Sequence, residues 1–167
     1  YTKNPFHHKG TDVTLSVGNH FWRKAEVEHF HQFGEKTALS VAAFYDGQNG
    51  FIKNKYSGKY ADKMNEVGGR FNLQYRPSKT IRMGLLADYQ YVNQNGFPYG
   101  LLNVKSQKAD NPNTDRQDTY RRNMLTTAFS LGWQAPSFEL NSVTSYQFLH
   151  DNMAMDIDYS PLNAMLL

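Results

Sequence analysis

Apolar residues recur in this chain at every second position, and almost nowhere at the three-and-four spacing of a helix face. Successive side chains of a strand point to opposite faces, so the pattern specifies an all-β chain with one greasy and one wet face. Seven strands are predicted, over 11–17, 21–30, 37–45, 67–76, 81–91, 125–133 and 138–148. The fourth is the cleanest, with Val67, Gly69, Phe71, Leu73 and Tyr75 opposite Gly68, Arg70, Asn72, Gln74 and Arg76. The second alternates poorly, because Arg23 and Glu26 fall on opposite faces. Strands three to seven offer 27 positions on the apolar faces and none is charged, where about five charges would fall at the chain's 20%.

Between the strands, short and long connections alternate. Residues 31–35, 77–79 and 135–137 are short; 46–66 and 92–120 are long and rich in Gly, Asn, Asp and Lys. Pro77-Ser-Lys79 and Ala135-Pro-Ser137 supply turn chemistry, so 67–76 is expected to pair with 81–91, and 125–133 with 138–148, as an antiparallel up-and-down meander. In a meander alternate connections share a rim, so one rim carries tight turns and the other loops. Tyr75, Trp133 and Phe138 fall near the short turns, and Tyr45, Tyr89, Tyr91, Tyr146 and Phe148 toward the loops. An outer-membrane barrel, with its aromatic girdles and its short-turn and long-loop ends, has this layout. So does a soluble sheet that packs its uncharged face on another layer, its rings then being core.

Several classes are excluded by composition. A length of 167 residues suits one domain. Zero cysteines remove disulfides, thiolate metal sites and cysteine nucleophiles. No run of 18 apolar residues exists, which removes a transmembrane helix but not membrane strands, which need only about 9–11 alternating residues. The net charge of +3 is spread along the chain without a basic run, so no nucleic-acid partner is expected. The sequence holds no nucleophile elbow, no zinc-protease helix motif and no phosphate-cradling loop; no catalytic residue or cofactor is assigned, and the chain is not expected to be an enzyme. His29 and His31 share a strand face without a third ligand nearby, and His7-His8 precede the first strand, so no metal site is assigned either.

Four segments carry a likeness. They are Tyr1-Thr-Lys-Asn-Pro with Thr11-Asp-Val-Thr-Leu-Ser-Val-Gly-Asn; Ala43-Phe-Tyr-Asp-Gly-Gln-Asn-Gly-Phe-Ile-Lys-Asn; Gly68-Gly-Arg-Phe-Asn-Leu-Gln-Tyr-Arg-Pro-Ser with Leu86-Ala-Asp-Tyr-Gln; and Ser142-Val-Thr-Ser-Tyr-Gln. In order and spacing the chain resembles the TonB-dependent outer-membrane receptors, at their passage from plug to barrel and the first third of the barrel. The resemblance implies a bacterial outer-membrane location, lipid around the barrel, and a parent that imports an iron–siderophore complex or another scarce nutrient with energy relayed by TonB. It also implies a piece of that parent: residues 1–167 hold no plug and too few strands, start without Met, and end in Asn163-Ala-Met-Leu-Leu rather than a terminal aromatic strand.

Under that reading Arg70, Arg82, Asp88 and Glu139 face the plug or lumen, and the loop aromatics gather ligand. The candidates are Phe51, Tyr56, Tyr60, Tyr91, Phe97 and Tyr99, several of them set among Lys53, Lys55 and Lys59. An isolated chain of this kind is expected to self-associate. Two rivals remain: a complete small outer-membrane barrel, and a soluble lipocalin-like barrel that binds a small lipophile. They differ in which face is greasy, and alternation does not say which face points outward.

Overall fold

The computed structural model describes residues 3–162, so the Tyr1-Thr2 opening and the 163–167 ending lie outside it. The chain is all-β. Among the described residues nine strands run in order: β1 (Gly10–Gly18), β2 (Trp22–Phe33), β3 (Thr37–Gln48), β4 (Met64–Tyr75), β5 (Ile81–Gln94), β6 (Leu102–Asn103), β7 (Lys108–Ala109), β8 (Thr119–Gln134) and β9 (Glu139–Ala154). Seven form one antiparallel sheet in the order β1-β2-β3-β4-β5-β8-β9, while β6 and β7 make a small hairpin inside a loop. The meander has the expected connectivity, with β4 on β5 (Leu73 opposite Leu85) and β8 on β9 (Leu131 opposite Ser142).

Short turns at 34–36, 76–80 and 135–138 share one rim; the loops 49–63 and 95–118 share the other with a tight turn at Asn19–Phe21. The strands outrun the alternation that revealed them. β8 starts at Thr119 rather than 125 and β9 ends at Ala154 rather than 148, because near the loop rim the apolar side turns polar at Arg121, Asn123, His150 and Asn152 while Met124, Leu149 and Met153 fall on the other side, so the alternation is lost although the backbone ladder continues. Strand β2, whose pattern was poorest, runs on to Phe33.

Register resolves the faces across the whole sheet. Val13, Val27, Ala43, Gly69, Tyr89, Leu125 and Phe148 lie in one row across the seven strands, so every apolar face read from sequence is on the same side. All strand carboxylates lie on the opposite side, from Asp12 on β1 to Asp151 on β9. The apolar side carries no acid, and only Arg23 and Arg121 among strand lysines and arginines.

Among the described residues, nothing covers that apolar face. Leu85 is 45% exposed, Phe129 44% and Val41 46%, in the middle of their strands. The accessible surface is 11361 Å², against about 8,400 Å² for a compact protein of this mass. Among the described residues, the buried side chains concentrate in two places. On the charged face the strap at 3–9 crosses β2 and β3: Pro5 is fully buried, Phe30 and Ala38 lie beneath, the Phe6 ring stacks 3.9 Å from the Arg76 guanidinium, and Lys3 pairs with Asp12 at 2.6 Å. The second buried cluster ties the loops together.

Candidate functional site: a charged sheet face and an interlocked loop rim

Opposite charges meet on the charged face both between strands and along them. Arg70 stands across from Asp88 in the β4–β5 register, and its Nε donates to Asp88 Oδ2 at 2.8 Å. Arg82 on β5 reaches across β8 to Glu139 on β9 at 3.4 Å, and within β2 Lys24 lies 3.1 Å from Glu26. Gln90 joins two further charges: its Oε1 accepts from Arg122 Nη2 at 3.1 Å while its Nε2 donates to Glu66. These groups keep contact with solvent, so each pair contributes little to stability, and the face remains a wet surface of donors and acceptors. Toward the short-turn rim lies a cavity of about 470 Å³ lined by Asn72, Gln74, Arg76, Arg82, Ser130 and Asn141. Arg70, Arg82, Asp88 and Glu139 thus share one face, as their alternation predicted.

At the other rim the two long loops are locked by one buried amide. Asn54 is 3% exposed; its Nδ2 donates to the Thr114 carbonyl at 2.9 Å and to Thr114 Oγ1 at 2.8 Å, while its Oδ1 accepts the Tyr56 N–H at 2.9 Å. Lys55 N–H donates to the Pro112 carbonyl, and Asn95 Nδ2 to the Tyr60 carbonyl. Within 49–63, the Asp62 carboxylate closes the loop by accepting the N–H groups of Phe51 and Ile52. Gly50, at φ +94°, lies so close to that carboxylate that a Cβ there has no room.

The segment after β9 docks on the same rim. Asp156, 1% exposed, donates its N–H to Asp118 Oδ1 at 2.9 Å, while its own carboxylate oxygens find no hydrogen bond of good geometry. Burial pushes the Asp156 carboxyl above its ordinary value, with the Asp115 carboxyl beside it and Asp158 nearby adding to the shift. Asp118 is raised too, chiefly by burial. Sequence reasoning missed both, since aspartates in polar loops look like ordinary solvated residues. Among the described residues no three His, Asp or Glu side chains converge to hold a metal ion. His29 and His31 stack at 6.2 Å, and His29 Nδ1 is 2.8 Å from Thr11 Oγ1.

The loop aromatics are only partly brought together. Phe97 lies 6.2 Å from Tyr99 and 5.8 Å from Tyr120, and Tyr99 lies 6.4 Å from Tyr159, so four rings form a train in which Tyr120 and Tyr159 were not foreseen. Phe51 sits apart, its ring 4.2 Å from His20. Tyr60 carries Lys53 over its face at 5.4 Å, and Tyr56 is exposed. Tyr91 is on β5 and points to the apolar side, in the row of Tyr45 and Val67. No protein-family model, no curated protein and no solved structure matches this chain.

Proposed function

We propose that the chain is a wall segment of a bacterial outer-membrane β-barrel belonging to a TonB-dependent receptor, one that imports a scarce nutrient, with an iron–siderophore complex as the favoured class. The observation that carries this reading is the bare apolar face: free of acids, flanked by rings, and backed by a face holding every strand carboxylate. In such a barrel Phe71, Leu73, Leu85, Phe129, Leu131 and Leu140 meet lipid, while Arg70, Arg82, Asp88 and Glu139 meet the plug or lumen water. The locked loops with Phe97 and Tyr99 then stand at the ligand-gathering mouth. Strands β1 and β9 are the ends of the sheet and do not pair with each other, which favours a segment over a closed small barrel. A lipocalin-like barrel needs an apolar interior and a charged exterior, whereas here the strap and the large cavity lie on the charged face. The ligand class and the dependence on TonB rest on the resemblance of the strand motifs.

The test compares two arginines at neighbouring levels of the sheet, placed on opposite faces of the parent receptor. Leu85→Arg puts a cation into lipid at a cost of roughly 2–4 kcal/mol near the midplane, whereas Asn72→Arg opens into the large cavity. Outer-membrane levels of the Leu85 variant should fall well below those of the Asn72 variant. Equal tolerance of the two would refute the assignment of faces.

A further inference from the structure

The two cations of the apolar face are not scattered. Across the sheet, Val17, Arg23, Gly47, Asn65, Asn93, Arg121 and Asn152 form a single row, the one nearest the loop rim. Both arginines are exposed, and neither has an ion-pair partner among the described residues. Arg23 is held in place: its Nη2 donates to the Tyr45 hydroxyl at 2.9 Å, that hydroxyl donates to Asn65 Oδ1 at 2.8 Å, and the guanidinium leans over the Tyr45 ring at 5.6 Å. In the next row down, Asn123 Oδ1 accepts from the Tyr89 hydroxyl of the row below it. The strip therefore combines guanidinium, amide and phenol groups above an apolar band. The opposite end of the same face has no counterpart, its strand rows ending in Phe33, Thr37, Tyr75, Met83, Leu131 and Trp133 without Lys or Arg.

Resting on the lipid-facing reading above, we propose that Arg23 and Arg121 are binding sites for the anionic phosphate of lipid headgroups in the leaflet at the loop rim. Charge complementarity selects this occupant. A strand face with no carboxylate and two exposed guanidiniums, that of Arg23 held by Tyr45, is matched to phosphate, which accepts the planar fork of arginine in two hydrogen bonds. Four strand spacings separate the two, roughly 19 Å, so each takes a headgroup of its own. The amides of Asn65 and Asn93 between them are placed to serve the glycerol or sugar parts of the same headgroups. One leaflet is marked and the other is not, so the pair also fixes which way the sheet crosses the bilayer.

Vesicle flotation of the whole chain, diluted from urea, tests this with two membranes: phosphatidylcholine alone, and phosphatidylcholine with phosphatidylglycerol. The wild type should favour the anionic vesicles. Replacing each arginine with glutamine (R23Q, R121Q) should lower that preference roughly fivefold, and R23K with R121K, which keeps the charge but loses the fork, should recover only part of it. Because the chain has no cysteine, a spin label on Asn93→Cys can report position: it should broaden the headgroup phosphorus signal, and one on Leu85→Cys should not. If the wild type floats with neither membrane, the lipid-facing reading itself falls. If it floats equally with both, or if the double glutamine variant keeps the full preference, the phosphate sites are overturned while that reading stands.

Discussion

Phe21 shows how much one residue can tolerate for a turn. Residues His20 and Phe21 sit at φ +58° and +55°, a left-handed pair that lets β1 reverse into β2 with three intervening residues. Neither is glycine, and a non-glycine residue there costs roughly 1–2 kcal/mol. The His20 ring recovers some of that against Phe51, but Phe21 is 75% exposed and recovers nothing visible. Phe21→Gly should therefore raise stability by about 1 kcal/mol, read as a higher urea midpoint in detergent micelles. At this scale the sequence told which face a residue occupies, but not its neighbours. Arg70 and Asp88 could be placed on one face by alternation, yet their contact depends on the β4–β5 register. Gln90 looked like any polar strand residue, although it links Arg122 to Glu66. Tyr91 is a ligand candidate by its place at the loop end of the predicted strand 81–91, yet the alternation of that strand already sets it on the apolar side, where the register holds it.

The strands were legible because burial on one face writes a period of two into the sequence; the loops have no such code. Asn54 and Thr114 are sixty positions apart, and no local pattern announces that they meet. Asn54→Ala would leave the Thr114 groups buried without their donor, a loss of about 1–3 kcal/mol. That loss should fall on the rim alone: amide exchange at Lys55 and Asn95 should speed up while the strand amides keep their protection. Asp156 gives the rim a dependence on pH. Its raised carboxyl, like that of Asp118, means that folding favours the protonated form. The linked stability is fully present below the ordinary carboxylate range and is lost as pH rises through the raised value, leaving the rim weaker at neutral pH than in mild acid. Asp156→Asn keeps the shape and removes the ionisation. Its rim protection, corrected for intrinsic exchange, should be higher than wild type at neutral pH and should fall less as pH rises, the remaining fall coming from Asp118.

At the scale of the whole molecule, the described residues form a single layer whose outer strands, β1 and β9, have no strand partner on their far side among those residues. The uncovered face is continuous over seven strands, far beyond the few hundred Å² that a soluble monomer usually leaves bare. At the β9 edge the exposure is two-sided, since Leu140, Tyr146 and Phe148 face one way while Val143, at 72%, and Leu149 face the other. A strand with free N–H and C=O groups and apolar side chains on both faces is a template for another strand. Detergent can cover the face, but only a partner strand can satisfy the edge. In water the chain should therefore give a mass by light scattering that rises with concentration. Detergent should reduce the assemblies without bringing all of them to monomer. Val143→Lys, which places a charge on the open edge and leaves the apolar face intact, should lower the residual association in detergent more than the association in water. A stable, concentration-independent monomer in water, with β1 paired to β9, would mean that the sheet closes on itself, and the wall-segment reading would give way to the complete small barrel.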